Sequence, residues 1–502
     1  MGVSMLVFAQ ETVDLTSTVF TESYYFFTVA IMWLLHVGFM TYEAGVSRRK
    51  NVMATAIKNI LTIAVVTPVF YYVGWKVYFC MEEGILPTLT ADGNNPEGTG
   101  LYFCGDGYGW GWHGSMGPNL GDNITGVFWA AFVLFSWTTG SIMSGAIIER
   151  VRTSAYLILT ALMGGIVWVI AAAWGWSYGG WLTLHFGYHD FAASGVVHGI
   201  AGIFALGVLL NLGPRIGKYD RQGRARAFKP HNLHMTLMGL MIIFTGFYAF
   251  YAACLAITAD AAPGWANIYF SPATLSAITF TITIGFAGGF AGGYFFSKGD
   301  PFWTLSGGLA GVIAVSAGAD VYSPNLVFIL AFFCAGLAFY VGNFIEVKMR
   351  VDDAVGAVAV HGVLGFVGVL LLGVFGAGYP TGALGVETSL LGQLVGVAAL
   401  FPLAFLTGYG ASWILKKLNL LRVPPAVELE GLDIAEYGSD FFPEWGQVAE
   451  TIIDVDGRSV EAEPILRQAL ADAIGASPGL LDLREPVSVD AGVDTDATTS
   501  GT

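Results

Sequence analysis

A chain of 502 residues that is 55% hydrophobic and only 12% charged is not an ordinary soluble globule, where charged residues make up about 25%. Its formal net charge of −15 is concentrated at one end, because residues 423–502 hold seventeen Asp and Glu against three Arg. No nucleophile–base constellation, nucleotide motif or CxxC-type metal spacing appears, so no catalytic residue, metal site, cofactor or nucleic-acid partner is expected.

In chain order, residues 1–21 read as an external N-terminal segment. Met1–Gln10 is apolar but lacks the basic start of a cleavable signal. Eleven apolar runs follow, at 22–46, 55–79, 126–148, 154–175, 191–213, 232–258, 272–296, 302–319, 325–347, 354–375 and 391–415. Each approaches the ~20 residues that cross a ~30 Å hydrocarbon core, longer than most buried soluble helices. The prediction is an all-α integral membrane protein with a transmembrane domain over 22–422. Cys80 and Cys104 flank a loop rich in Gly, Asn and acidic residues between the second and third runs. A disulfide there suits an oxidising exterior, and two free thiols are the alternative. Beyond the last run come a tail, 423–446, and an acidic, aromatic-poor extension, 447–502. The extension reads as partly disordered, with a short helix over 461–475.

Charge placement orients these runs. Nineteen Lys and Arg precede the tail. With the N-terminus outside, eighteen fall at cytoplasmic ends or loops, including the cluster Arg215, Lys218, Arg221, Arg224, Arg226 and Lys229; only Lys76 falls outside. The odd span count puts the C-terminus in the cytoplasm of a multi-pass plasma-membrane protein.

One pattern occurs twice. Asp190 and His198, and Asp353 and His361, stand at the same eight-residue spacing, and both copies end in Val-His-Gly-x-x-Gly. Intramembrane ionisable residues are functional candidates by default. In the threaded topology each histidine lies about 12 Å along its helix from the Asp, one measured from the outer side and one from the inner. Both therefore approach the midplane, as an inverted five-plus-five repeat requires, with halves near 22–213 and 232–375 and an eleventh helix at 391–415. The simpler alternative is that each His only bonds a neighbouring helix. Asp190 and Asp353 each begin a span, and capping is their first reading, with an electrostatic contribution at the entrance for Asp190.

Several motifs resemble those of the Amt/Mep/Rh family of ammonium transporters, in order, over roughly residues 22–440. They are Gly-Phe-Met-Thr-Tyr-Glu-Ala-Gly-Val-Ser-Arg-Arg-Lys-Asn (38–51), Ser-Gly-Ala-Ile-Ile-Glu-Arg (144–150) and Asp-Phe-Ala-Ala-Ser-Gly-Val-Val-His (190–198). Leu-Gly-Pro-Arg-Ile-Gly-Lys-Tyr (212–219), His231-Asn232, Asp353 with His361, and Gly-Leu-Asp-x-x-Glu-x-Gly (431–438) complete the set. The resemblance implies a homotrimer with one pore per protomer, His198 and His361 along its floor, and Phe135 and Phe250 as an external gate. It implies ammonium or ammonia as substrate, with Trp176 in the recruitment site and Trp181 as fallback. A PII-family signalling protein is the implied partner at the cytoplasmic face, beside the lipid bilayer. The family usually reads Trp-Phe-Gly-Phe-Asn-x-Gly-Ser where this chain has Phe247-Tyr248-Ala249-Phe250-Tyr251-Ala252-Ala253-Cys254. Phe247 and Cys254 thus stand at recruitment positions, and Gly356 replaces a midspan Asp.

The chemistry expected of such a chain follows from electrostatics. A bare cation crosses hydrocarbon at far greater cost than a neutral molecule. Ammonium attracted by aromatic rings would lose its proton at the gate, ammonia would pass along the histidines, and the pair would relay the proton. A passive ammonia or carbon dioxide channel and an ammonium sensor are the alternatives.

Overall fold

The computed structural model describes residues 15–81, 125–257, 264–381, 385–442, 451–453 and 459–461. Among them, ten helices are long and apolar enough to cross a membrane. In chain order they are α1 (Thr18–Val46), α2 (Arg49–Gly74), α3 (Gly126–Ile147), α4 (Thr153–Gly175), α5 (Ser194–Leu212), α6 (Leu233–Ala252) and α7 (Leu275–Ser297); after the shorter α8 (Pro301–Ser316) come α9 (Pro324–Val347), α10 (Val358–Phe375) and α11 (Leu390–Lys417). The predicted span 302–319 corresponds to α8, whose 16 residues rise only about 24 Å, so eleven full-length spans are not met by length. The first helical segment begins at Leu15 rather than 22, since Glu22 does not interrupt it, and a break at Trp33 separates Leu15–Met32 from Leu34–Val46.

The packing follows the duplication. α1 crosses α6, and α5 crosses α10, while α2–α4 group together on one side and α7–α9 on the other. α11 lies along α5. Where hydrocarbon surrounds helices, close backbone contact replaces the hydrophobic effect as the glue, and small residues permit it. Gly38 and Gly45 on α1 lie against α6, and Gly239 and Gly246 on α6 lie against α1, at seven-residue spacing in each helix. A Cβ on Gly38 would meet Ile243 N at 2.7 Å, and one on Gly246 would meet Leu35 N at 2.8 Å. Large aromatics point outward: Phe26, Phe27, Phe280, Phe295 and Phe333 are 60–66% exposed, a surface suited to lipid.

A small hairpin, β1 (Leu255–Ile257) with β2 (Trp265–Asn267), follows α6. Past α11 two short helices, α12 (Pro425–Glu430) and α13 (Leu432–Tyr437), belong to the same compact unit, which ends at Phe441. A second unit contains the antiparallel hairpin β3 (Thr451–Ile453) and β4 (Ser459–Glu461). Glu461, placed in a helix by the sequence, is therefore in a strand, and 462–475 lie outside the described residues. The Cys80–Cys104 pairing also lies outside them, as does 1–14 of the N-terminal segment.

Candidate functional site: two histidines beneath an aromatic stack

α5 and α10 each begin with a π-helical turn, Ser194–Gly199 and Val358–Val363, and each turn carries its histidine. Such turns widen the helix locally and recur at functional sites. The glycines of Val-His-Gly-x-x-Gly make the crossing. A Cβ on Gly202 would fall inside the van der Waals shell of the Gly362 backbone, and one on Gly365 would overlap Gly199 and the Ser194 carbonyl. With the backbones this close, His198 Nδ1 and His361 Nδ1 stand 3.1 Å apart, so one must donate and the other accept. Both rings are buried. His198 Nε2, the nitrogen on the far side of its ring, has no partner among the described residues.

Aromatic rings close one side of the pair. Phe250 stacks on His198 at 5.6 Å, and Phe135 meets Phe250 edge-on at 4.5 Å. Trp176 packs on Phe135 at 4.7 Å. The sequence reading missed Phe132, one turn from Phe135 on α3, which packs beside both Trp176 at 5.4 Å and Phe135 at 6.2 Å. Its signal was the i, i+3 spacing of two Phe on one helix face. Phe135, Phe250 and Trp176 are fully buried, so the stack is sealed.

Each residue of the expected recruitment set has partners within the protein. Phe247 lies flat against His198, centroids 5.7 Å apart and planes 8° apart, because it sits one helical turn deeper than Phe250. Cys254 Sγ, in the turn just past α6, donates back to Phe250 O, 3.2 Å away. The Trp176 indole N–H donates to Phe191 O at 3.0 Å. Trp181, the fallback, packs on Trp174 and Phe186 instead.

Both aspartates hold backbone. Asp190 accepts from the N–H groups of Ser194, Gly195 and Val196 at 2.7, 2.8 and 2.9 Å, which satisfies donors at the start of α5. Asp353 accepts from Val358 N at 2.7 Å at the start of α10. Gly356, where the resembling family has an Asp, stands at φ +73°, a conformation that L side chains rarely adopt.

At the opposite end from the aromatic stack, buried charges form a network that the sequence reading also missed. Asp352 accepts from Arg215 Nε and Nη2, both at 2.8 Å, and its backbone carbonyl accepts from Arg150 at 2.6 Å. Glu149 pairs with Arg48 at 2.6 Å and Arg215 at 3.4 Å. Burial alone would raise both carboxyls, but Arg150 and Arg215 hold Asp352, and Arg215 and Arg48 hold Glu149, below the usual carboxylate range. Phe228 lies under the guanidinium groups of Arg48 and Arg215, at 4.7 and 5.0 Å. The tail helices rest on this end. Glu428 accepts from Ile216 N at 2.7 Å and Asp433 from Ala54 N at 2.8 Å, while Glu436 pairs with Lys58 at 3.6 Å.

The model of the Ammonium Transporter Family matches residues 23–441. The ammonium transporter Amt2 of Archaeoglobus fulgidus is 32% identical over 434 residues, covering 82% of this chain and 86% of its own. Among solved structures, a protein titled Sensor Amt Protein superposes with a TM-score of 0.71 at 25% identity, covering 85% of this chain and all of its own. Mep2 of Candida albicans superposes with a TM-score of 0.65 at 20% identity, over 88% of this chain and 94% of its own.

Proposed function

The chain belongs to the ammonium transporter family, and from that premise we propose that it carries ammonium across the membrane by splitting it at the aromatic stack. Ammonium gives a proton to His198, the ring against Phe250: its N–H bond breaks with the electron pair left on ammonia, and a new N–H bond forms on the imidazole. Ammonia then passes along His198 and His361. The proton travels separately through the same pair, so net charge crosses with each ammonia. Potassium has no proton to shed and is turned back.

The observation that carries this reading is the 3.1 Å contact between the two Nδ1 atoms inside an apolar, ring-lined interior. Two imidazoles that share one proton offer a donor and an acceptor at mid-pore without fixing either role. In this reading the aromatic stack faces outward and the basic end faces the cytoplasm, in the plasma membrane. The working unit is a homotrimer, and a PII protein docks on the basic face beside α12 and α13. Cross-linking in membranes and pull-down with and without residues 424–440 test these two points.

The test of conduction is current in proteoliposomes on a solid-supported membrane after an ammonium jump. His198→Ala and His361→Ala are each expected to lower the current at least tenfold. Wild-type current in both variants would overturn the reading. One observation favours a second reading, a passive ammonia channel: Trp176 and Cys254 have already spent their donors on backbone carbonyls. Ammonia entry without current in the unmodified protein would select it. A sensing role, suggested by the Sensor Amt Protein neighbour, predicts ammonium binding with little flux of either kind.

A further inference from the structure

Glu43 is a buried carboxyl in α1, three residues from its end, that the scheme above leaves unused. It is 1% exposed and is held by Asn59 Nδ2 at 2.8 Å and by the Ser144 hydroxyl at 2.7 and 2.8 Å. None of these partners carries a charge. Gly145 makes room for it, since a Cβ there would stand 3.2 Å from Glu43 Oε1 and 2.8 Å from Val355 Cγ2.

Two small cavities meet at this carboxyl. The first is lined by Glu43, His361, Tyr42, Ser141 and Ser306 among others, and at about 10 Å³ it is the size at which a single water fits. The second, of the same size, is lined by Glu43, Lys58, Glu149, Ser144 and Tyr156 among others. Glu43 is the residue common to both. Lys58 in turn pairs with Glu436 of α13, whose side chain is 22% exposed. A series of polar groups therefore runs from the histidine pair to the surface at the basic end, through the one carboxyl in the wall between the two spaces.

We propose that Glu43 is the proton acceptor on the basic side of the histidine pair and passes protons from the pore to the surface where the tail docks. This rests on the ammonium-splitting reading. When His361 releases a proton, its N–H bond breaks and the pair stays on nitrogen; an O–H bond forms on a Glu43 oxygen through the intervening space. The carboxylate is restored when its O–H bond breaks and the proton passes, through water in the second cavity, to bulk water at the exposed side of Glu436. The ionisable groups facing this path are His361 and Tyr42 on the pore side and Lys58, Glu149 and Tyr156 on the surface side. Ammonia, being neutral, has no need of the route, so the two paths divide below His361.

The division supplies the test. Proteoliposomes with a pH dye inside report ammonia entry as a rise in internal pH, and the supported-membrane electrode reports charge. Glu43→Gln keeps the size of the side chain and one acceptor oxygen for Asn59 and Ser144 but cannot take the proton. It should lose at least tenfold in current while still alkalinising the lumen above protein-free vesicles. Glu43→Asp should recover part of the current with a displaced pH profile. Wild-type current in Glu43→Gln at every pH overturns the proposal. Loss of current and ammonia entry together in both variants also overturns it, since a structural role then accounts for the residue. An unmodified protein that alkalinises the lumen without current removes the ammonium-splitting reading itself, and this inference falls with it.

Discussion

The two sides of the histidine pair are closed by different means. On one side of the histidines, Phe250, Phe135, Phe132 and Trp176 fill the path with rings and leave no titratable side chain in their stack. On the other, Glu43, Lys58, Glu149 and Asp352 lie buried among hydrogen-bond partners, with water-sized spaces at Glu43. Rings exclude ions by denying them hydration, but they cannot carry a proton. A chain of polar groups can carry a proton while remaining too narrow for a hydrated ion. The contrast suits a pore that separates ammonia from its proton at the first barrier and disposes of the proton at the second.

The point where the two regions meet is where that arrangement breaks most easily. At the α5–α10 crossing, the Gly202 and Gly362 backbones touch with no space for a side chain on Gly202. Gly202→Leu is expected to push the helices apart and separate the Nδ1 atoms, abolishing ammonium-driven current and lowering thermal stability by several kcal/mol. Detergent-solubilised protein followed by melting, and the same protein in the electrode assay, check both. Retained current at native stability would mean that the histidine contact is not set by this crossing.

A second change sharpens the description of the basic end. Asp352→Asn leaves the Arg215 and Arg150 guanidinium groups buried with a weakened partner, and breaking a buried pair costs roughly 3–5 kcal/mol. The acid dependence should change as well. A carboxyl lowered by folding stabilises above its unfolded value, near ~3.9, and ceases to do so as pH falls through its folded value. The unmodified protein should therefore hold its melting temperature down to about pH 5 and lose it on further acidification, with Glu149 contributing in the same sense. Asp352→Asn should start lower and fall less steeply. An unchanged melting temperature at neutral pH would mean that the network contributes nothing net.

These features differ in how far they can be read from residues alone. The helices are legible because hydrocarbon demands long apolar runs, and the pairing of His198 with His361 is legible because spacing and motif occur twice. The glycines beside them were visible as letters, yet their function is a backbone distance that no periodicity reports. Glu43 stands within the 38–51 motif, but its position between two cavities depends on α2, α3 and α10 together. Asp352 was overshadowed by Asp353, the member of the pair at the repeated spacing, although Asp352 is the one that binds arginines. The extent of α8 was misjudged because hydropathy continues past Ser316 after the helix has ended.

The smallest effect is expected at the aromatic end, where sequence comparison alone suggests a larger one. Cys254 replaces the serine of the resembling family, and a missing hydrogen bond of about 1 kcal/mol would weaken ammonium recruitment roughly fivefold. The thiol, however, points back to Phe250 O at 3.2 Å. A serine hydroxyl at the same position, in the turn just past α6, would make that bond too, as serines commonly do to the carbonyl four residues earlier. Phe247 is likewise engaged, stacked on both His198 and Phe250. Cys254→Ser should therefore shift the half-saturating ammonium concentration by less than about twofold, under roughly 0.4 kcal/mol. The concentration dependence of initial current measures it. A fivefold tightening would show that the side chain turns outward to meet the substrate, and that the sealed aromatic stack opens during transport further than its packed rings suggest.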